Sequence, residues 1–554
     1  MRNAPSRWRS VAVVVLTCSL ILAGCGSKES PSSTSQSPSQ APGQAQQSAR
    51  PNEWNVVIAE QTGGADPLSE YGTNAQYQLP IHVLEPLMHV EMLPDGSAWG
   101  VVNDLAERWS FPNPTTFEVE VKKGVQFQNG EELTAEHVKY AYDAIVFAEK
   151  PGRRAVSLKV LGDAELVDKY TIRWHMPAPS ATVLGSMYTL LIPPLARRGM
   201  TAEEFEARPI GTGPYKVIEW PRDGTVRLEA WDGYRKGKAF PERLTIRTVP
   251  DPSTRVLEVL AGTGQIAQAV PIESLSSVES NPQKEVVSLK GNFSLSYVIN
   301  IFKNNPPLRD QRVRQALNYA VDRDTIVKSV LGGRGSALPG PLWSGWLGYD
   351  SSIQPYPYDP DKARALLREA GYPDGFSMKW TITQGIYVKD SEIAQAVASQ
   401  LAKVGIQVQL QPLERARLLA ERSEGDYDMT ELAWPNSWIP ANLFAFTLDT
   451  SYPDAKLTPR WGATPDSLTE ARKMVKDAGT ASSIDQMATL YGQLNRYVHD
   501  QAFWLFVHTV DDLWATQKDI AWRPYPTNYV VFYDYWKMAG LQAPRDPAVP
   551  PVLK

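Results

Sequence analysis

The first fifty residues decide where a fold can begin. Arg2, Arg7 and Arg9 make the start basic, and Val11 to Ala23 is almost wholly apolar. That run is too short to span a bilayer as a helix. A basic start, a short apolar core and small residues before Cys25 form the pattern of a secretory signal, residues 1–24. Gly26 to Asn52 is mostly Ser, Gln, Pro, Ala and Gly, with no large apolar residue. Such a segment cannot bury enough surface to offset its chain entropy, so 25–53 is expected to be a disordered tether. Trp54-Asn55-Val56-Val57-Ile58-Ala59 is the first apolar run, and the folded body is expected to start there.

Leu22-Ala23-Gly24-Cys25 resembles the bacterial lipobox, in which the Cys thiol is acylated and becomes the new N-terminus. An ordinary signal peptide with an incidental Cys is the alternative. Cys18 lies inside the segment that would be removed, so the mature chain would hold one Cys and no disulfide. Loss of 1–24 removes three Arg and no acid, leaving 53 basic residues against 61 acidic ones, a net charge of about −8. That balance argues against nucleic acid or anionic lipid headgroups as partners of the body. No later apolar stretch is long enough for a membrane span. The expected location is extracytoplasmic, held at a membrane by lipid on Cys25.

A body this long exceeds the roughly 250–300 residues at which single cores stop growing, so at least two lobes are expected. Phe117, Val119 and Val121 alternate with polar residues as on a half-buried strand. Thr134 can cap a helix whose stripe is Val138, Ala141, Tyr142, Ile145 and Val146. Asp359, Pro360 and Gly371 bracket a second helix with Ala363, Leu366, Leu367 and Ala370 inward. Arg309 to Ala320 reads as a third. Ser391 to Val404 reads as a fourth, stopped by Gly405 and followed by the alternating strand Ile406, Val408, Leu410. Helices followed by strands at this spacing predict α/β lobes.

Enzymatic signatures are missing from the sequence. There is no phosphate-binding G-x-x-x-x-G-K-[ST] loop, no H-E-x-x-H and no G-x-S-x-G. His82, His89, His137, His175, His499 and His508 have no Cys or second His at metal-ligand spacing. His508 with Asp511 and Asp512 is the best acid–base cluster. Neither a catalytic residue, a metal site nor a cofactor is expected.

Five segments carry a resemblance. They are Leu105 to Tyr142, Ile210-Gly211-Thr212-Gly213-Pro214-Tyr215, Trp231 to Asp251, Val313 to Val327 and Asp359 to Phe376. Together, in order, they resemble the family 5 extracellular solute-binding proteins of ABC transporters, which include oligopeptide, dipeptide and nickel receptors. Read without the family, Gly211 and Gly213 permit a backbone path closed to larger residues, a structural role. The resemblance implies a two-lobed periplasmic-binding-protein-like α/β fold with a hinge and an extra subdomain in the first lobe. Lobe one would take 54–300 plus 506–545, with the subdomain at about 80–205; lobe two would take 301–505. Crossovers near Asn300 and His508 would form the hinge. The receptor would close on its solute as a monomer and dock on a permease with its ATPase.

In peptide-binding members, a segment like Y-D…G-W-x-x-D sets an Asp against the peptide ammonium. Here Tyr427-Asp428 leads to Trp434-Pro435-Asn436-Ser437-Trp438, so the Asp position falls on Ser437. A hydroxyl can hydrogen-bond an ammonium or a sugar but cannot neutralise charge. Two readings stay open. The ligand is a peptide and another acid, such as Glu431 or Asp449, holds its amine; or it is neutral, such as an oligosaccharide, with Trp434 and Trp438 as stacking platforms. Trp343, Trp346 and Tyr387 can add to the cleft, or these rings simply pack the lobe. Trp434, Asn436, Ser437, Trp438, Tyr387 and Trp343 are the candidate solute-binding residues. A lipid-anchored hydrolase and a sensor on the same scaffold are the competing functions.

Overall fold

The computed structural model describes residues 52–59, 64–69, 79–92, 99–150, 152–220, 224–301, 305–435, 438–448, 466–520, 522–524 and 531–532. Cys25, Asn436, Ser437, Asp449, residues 1–51 of the signal and tether, and the chain beyond residue 532 lie outside the described residues. All described residues belong to the unit Arg50–Lys554.

Among the described residues one mixed sheet holds eleven strands. They are β1 (Glu53–Ile58), β2 (Tyr215–Glu219), β3 (Thr225–Ala230), β4 (Arg243–Thr248), β5 (Ile266–Gln268), β6 (Lys284–Ile299), β7 (Gly335–Ala337), β8 (Phe376–Ile382), β9 (Ile406–Pro412), β10 (Met429–Pro435) and β11 (Trp504–Gln517). Their spatial order is β9-β8-β10-β6-β11-β5-β1-β4-β3-β2, with β7 paired to β11. The early strands thus lie on one side and β8, β9 and β10 on the other. Two long antiparallel strands, β6 and β11, bridge them. Lys284 to Leu289 pairs only with the end of β11, and Thr516 there also faces Ile266 of β5. Phe293 to Val298 lies between β10 and β11.

Where β6 changes partners its register breaks, between Leu289 and Phe293. Gly291 takes φ +56° in that break, a left-handed turn that only Gly makes without steric cost. The break is pinned from two sides. The Asp511 carboxylate accepts the Gly291 N–H at 3.0 Å and the Ser288 hydroxyl at 3.3 Å, while the Trp343 indole N–H donates to the Gly291 carbonyl at 2.7 Å.

A separate four-stranded sheet joins Ala106–Asn113, Thr116–Val121, Thr171–His175 and Asp163–Leu166, in that order. Phe117, Val119 and Val121 are buried along its second strand. The covering helix Ala135–Val146 buries Val138, Ala141, Tyr142, Ile145 and Val146, and Thr134 and His137 form its capping box. The other expected helices are Gln311–Tyr319, Pro360–Glu369 and Asp390–Ala402. Asp359 caps the second by accepting the Lys362 N–H at 2.8 Å. No described helix is long and apolar enough to cross a membrane.

The Gly211-Thr212-Gly213 segment passes against the backbone at Val83. Gly213 N–H donates to the Val83 carbonyl at 2.8 Å, and a Cβ on Gly211 would sit 1.9 Å from that same oxygen. Close backbone approach, rather than a left-handed turn, therefore selects glycine here.

His508 lies on β11, fully buried, with neither ring nitrogen hydrogen-bonded among the described residues. Asp511 is three positions along the strand, hence on its other face, and is committed to the β6 break. The sequence cluster of His508, Asp511 and Asp512 is therefore not assembled around the imidazole. Burial pulls the His508 pKa from 6.5 down to about 3.

Gly211→Ala is expected to lower stability by about 1–3 kcal/mol through overpacking. Gly479→Ala, whose Cβ would meet nothing within 4 Å, changes it by less than about 0.5 kcal/mol. Urea-unfolding midpoints of the two variants check both. The pH dependence of His508 has a definite sign. The unfolded chain takes up the imidazole proton near pH 6.5 and the folded chain only near pH 3, so stability falls as pH drops through that window. His508→Leu is expected to flatten the fall of the thermal midpoint between those limits, whatever it does at neutral pH.

Candidate functional site

A crevice follows from the winding of β8, β9 and β10. These strands are parallel, and the chain steps from β8 out to β9, then back across β8 to β10. Right-handed crossovers put the two connecting helices on opposite faces. Asp390–Ala402 buries Ile393, Ala394 and Val397 in one core with Trp380. Arg415–Glu424 instead sends Glu421 to 3.3 Å from Lys379, the neighbour of Trp380 and so on the other face. The segments leaving the carboxyl ends of β8 and β9 therefore turn to opposite faces, and β10 ends beside β8. That is the place where open α/β sheets bind ligands.

Thr383 stands at the end of β8. Its N–H and hydroxyl donate to the two oxygens of Glu431 at 3.0 and 2.7 Å. Glu431 is buried, and burial lifts its pKa while the Thr383 bonds oppose the rise. Asp390 sets the next segment: its carboxylate accepts the N–H groups of Gly385, Ile386 and Tyr387 at 3.0, 3.0 and 3.1 Å. Tyr387 is thereby placed with its ring 5.7 Å from Phe293 of β6. Burial and the Glu431 charge push its phenol pKa up, and Arg415 counters them.

Arg422 comes from the helix below. Helical side chains lean toward the helix N-terminus, and the N-terminus of Arg415–Glu424 follows the carboxyl end of β9. Arg422 thus leans toward the crevice. It is 8 % exposed, and its guanidinium lies 5.8 Å from the Phe446 ring, which in turn sits 5.7 Å from Trp434. The Arg422 Nε is buried without a hydrogen-bond partner, and no hydrogen bond or ion pair links this side chain to another described residue. Burial disfavours its charge.

The described residues among those expected from sequence divide into two groups. Tyr387 and the half-buried Trp434 belong to the crevice just built. Trp343 and Trp438 are almost fully buried beside it. The Trp343 indole is 5.2 Å from that of Trp346 and anchors Gly291, while the Trp438 carbonyl accepts the Leu347 N–H at 2.8 Å. Asn436 and Ser437 lie outside the described residues.

Sequence reasoning missed Arg422, Arg415, Asp390, Phe293 and Phe446. One signal was available. Leu418, Glu421 and Arg422 share the inward stripe of a helix where apolar residues are the rule, so two charges stood at buried positions. Asp390 gave no such signal, because its role depends on loop geometry. Among the described residues no three His, Cys, Asp or Glu side chains gather as metal ligands. A groove of about 550 Å³ elsewhere, lined by Lys122, Lys123, Arg235, Glu107 and Glu120, contains none of the expected residues.

The sequence profile of bacterial extracellular solute-binding proteins, family 5 Middle, matches residues 100–456. Heme-binding protein A of Haemophilus influenzae is 27% identical over 470 residues, covering 77% of this chain and 83% of that protein. The dipeptide-binding protein of Escherichia coli is 26% identical over 438 residues, covering 73% and 79%. The ABC transporter-associated periplasmic binding protein DppA from Helicobacter pylori, solved in complex with the peptide STSA, superposes with a TM-score of 0.65 at 21% identity. That likeness covers 84% of this chain and 94% of that one, and it shows the two-lobed periplasmic-binding-protein fold. With the profile match extending over more than half of its length, the chain belongs to family 5 of the bacterial extracellular solute-binding proteins.

Proposed function

We propose that this protein is the receptor of an ABC importer, capturing peptides outside the cytoplasm and passing them to a membrane permease with its ATPase. The observation that carries this reading is the crevice at the carboxyl ends of β8 and β10, bordered by Phe293 of a strand shared by both halves of the sheet. A similar dipeptide-binding protein and a similar peptide complex point to the same ligand class.

Residues 54–300 with 506–545 form lobe one in this reading, 80–205 its subdomain, and 301–505 lobe two. The hinge is taken at the crossovers near Asn300, directly after β6, and His508 on β11, the two strands that also hold the pinned break at Gly291. The lobes touch away from the hinge: the Ala181 N–H donates to the Ala481 carbonyl at 2.9 Å, and the Ser180 hydroxyl to the Gly479 carbonyl at 3.0 Å. Solute that contacts both lobes shifts the balance toward this joined arrangement by its extra affinity for it. One copy suffices for the motion. Acylated Cys25 and the tether to residue 53 keep the receptor near its permease. A neutral oligosaccharide would need open indole faces. Trp343, Trp346 and Trp438 are almost fully buried, which leaves Trp434 as the half-exposed indole of that set.

Native mass spectrometry of detergent-purified protein mixed with a peptide pool tests the reading. Bound masses spaced like amino-acid residues are expected; hexose spacing would replace peptide by sugar. Asp390→Ala, which frees the Tyr387 segment, is expected to weaken peptide binding about tenfold, as loss of charge-assisted hydrogen bonds does. Titration calorimetry reads that loss. Cys25→Ser is expected to move the protein from the detergent to the aqueous phase on Triton X-114 partition.

A further inference from the structure

We infer that Lys389 and Glu273 form a clasp between the two halves of the body, an ion pair made only when the lobes are closed, which slows the escape of bound solute. The inference rests on the receptor reading and names the side chains that hold the closed form.

Glu273 belongs to the half built from the early strands. Its segment leaves β5 as the short helical runs Ile272–Ser274 and Leu275–Glu279 and leads into β6. Leu275 and Val278 fix it there, buried in one core with Val57, Val256 and Ala515. Its acids reach the other half. Glu279 meets Arg334 at 2.6 Å, and Glu273 meets Lys389 at 3.6 Å. Between them Ile272 packs on both cores, and a Cβ on Gly332 would lie 3.4 Å from its side chain.

The two pairs stand differently toward the hinge. The Arg334 carbonyl accepts the Asp511 N–H at 3.3 Å, directly before β7 pairs with β11. Arg334 is thus bound to the hinge strand, and its pair keeps residues 272–279 in place whichever way the lobes stand. Lys389 is on the loop after β8, two residues beyond Tyr387. Its contact with Glu273 weakens steeply as the lobes part, because attraction falls with distance and water enters the gap.

Lys389 is an unexpected residue for its backbone. Its φ is +56°, a left-handed conformation uncommon for any residue with a Cβ. The loop is wound around Asp390, which takes the N–H groups of Gly385, Ile386 and Tyr387, so the position is held in that turn. Gly would fit it without strain. Such an outlier beside a binding segment points to a role for the side chain. The Lys389 Nζ lies 3.6 Å from Glu273 and 3.2 Å from Glu392 of its own half. Glu392 keeps the ammonium aimed at the gap, and Glu273 completes the pair on closure. Both clasp residues are partly exposed, so the pair is a weak one. Weakness suits the task. A contact made in one state alone puts its whole free energy into the balance between open and closed. Solute against Tyr387 and the ammonium at Lys389 share one short loop, so ordering the first sets the second.

The test is the dissociation rate of a bound peptide from the pool, followed by stopped flow for wild type, Glu273→Gln, Lys389→Met and the double variant. In about 0.01 M salt each single variant is expected to release peptide about threefold to fivefold faster, the strength of an exposed ion pair. The double variant should be no faster than either single one, since the second change has nothing left to remove. In about 1 M salt all four should agree within about twofold. Melting midpoints of the solute-free variants should match wild type. Rates unchanged in the single variants, or effects that multiply in the double variant, overturn the inference. So does a midpoint several degrees lower, which would make the pair a structural prop. Should no peptide bind wild type, the peptide reading falls, and small-angle scattering of the solute-free Cys25→Ser chain decides the clasp. A radius of gyration enlarged equally by Glu273→Gln, Lys389→Met and both together upholds it, and an unchanged radius rejects it.

Discussion

The pairing of β6 with β11 is the constraint on which the rest of this structure depends. Each strand serves both halves of the sheet, so neither half is complete without them. A continuous ladder would lock the halves into one rigid plane. The break at Leu289–Phe293 interrupts the ladder where the partners change, and the Asp511 and Trp343 bonds to Gly291 give the interruption a defined shape. Those two clamps come from different parts of the chain. The residue that must take a left-handed turn is thus held by its N–H from one side and its carbonyl from the other.

This arrangement also assigns Trp343 a place that its residue type alone does not suggest. An aromatic in a Gly/Pro-rich loop suits a ligand platform, yet its indole N–H is committed to the β6 break. Leu347, in the same loop, is tied to Trp438 beyond the end of β10. The loop therefore links the break in β6 to the segment that leaves β10 toward the crevice. Two residues expected at the cleft for their ring faces are joined through backbone and indole hydrogen bonds instead.

Much of the scaffold was legible because its causes are local. Capped helices such as Pro360–Glu369 and Ala135–Val146 announce themselves through Asp359, Thr134 and a 3.6-residue stripe. The Gly211–Gly213 segment was readable as a backbone constraint, although only the fold supplies Val83 as its cause. The crevice was less legible. Tyr387 and Trp434 could be picked by chemistry, but the order β9-β8-β10 that opens the crevice is a non-local fact. Asp390 reads in sequence as an ordinary acid at a helix start, and its three loop N–H groups appear only once the loop is folded.

Buried charge separates the scaffold from the site. Across the body, cost is removed by hydrogen bonds within the chain: Arg235 reaches Glu85 at 2.6 Å, Arg197 holds Asp66 at 2.9 Å, and His89 meets Asp104 at 2.5 Å. Such closed pairs fix one conformation, since separating them would strand a charge in low dielectric. An open charge does the reverse and makes the empty state the poorer one. Arg422 departs from these pairs: it falls on the inward stripe of its helix, two turns from the N-terminal end, and its Nε is buried without a hydrogen-bond partner.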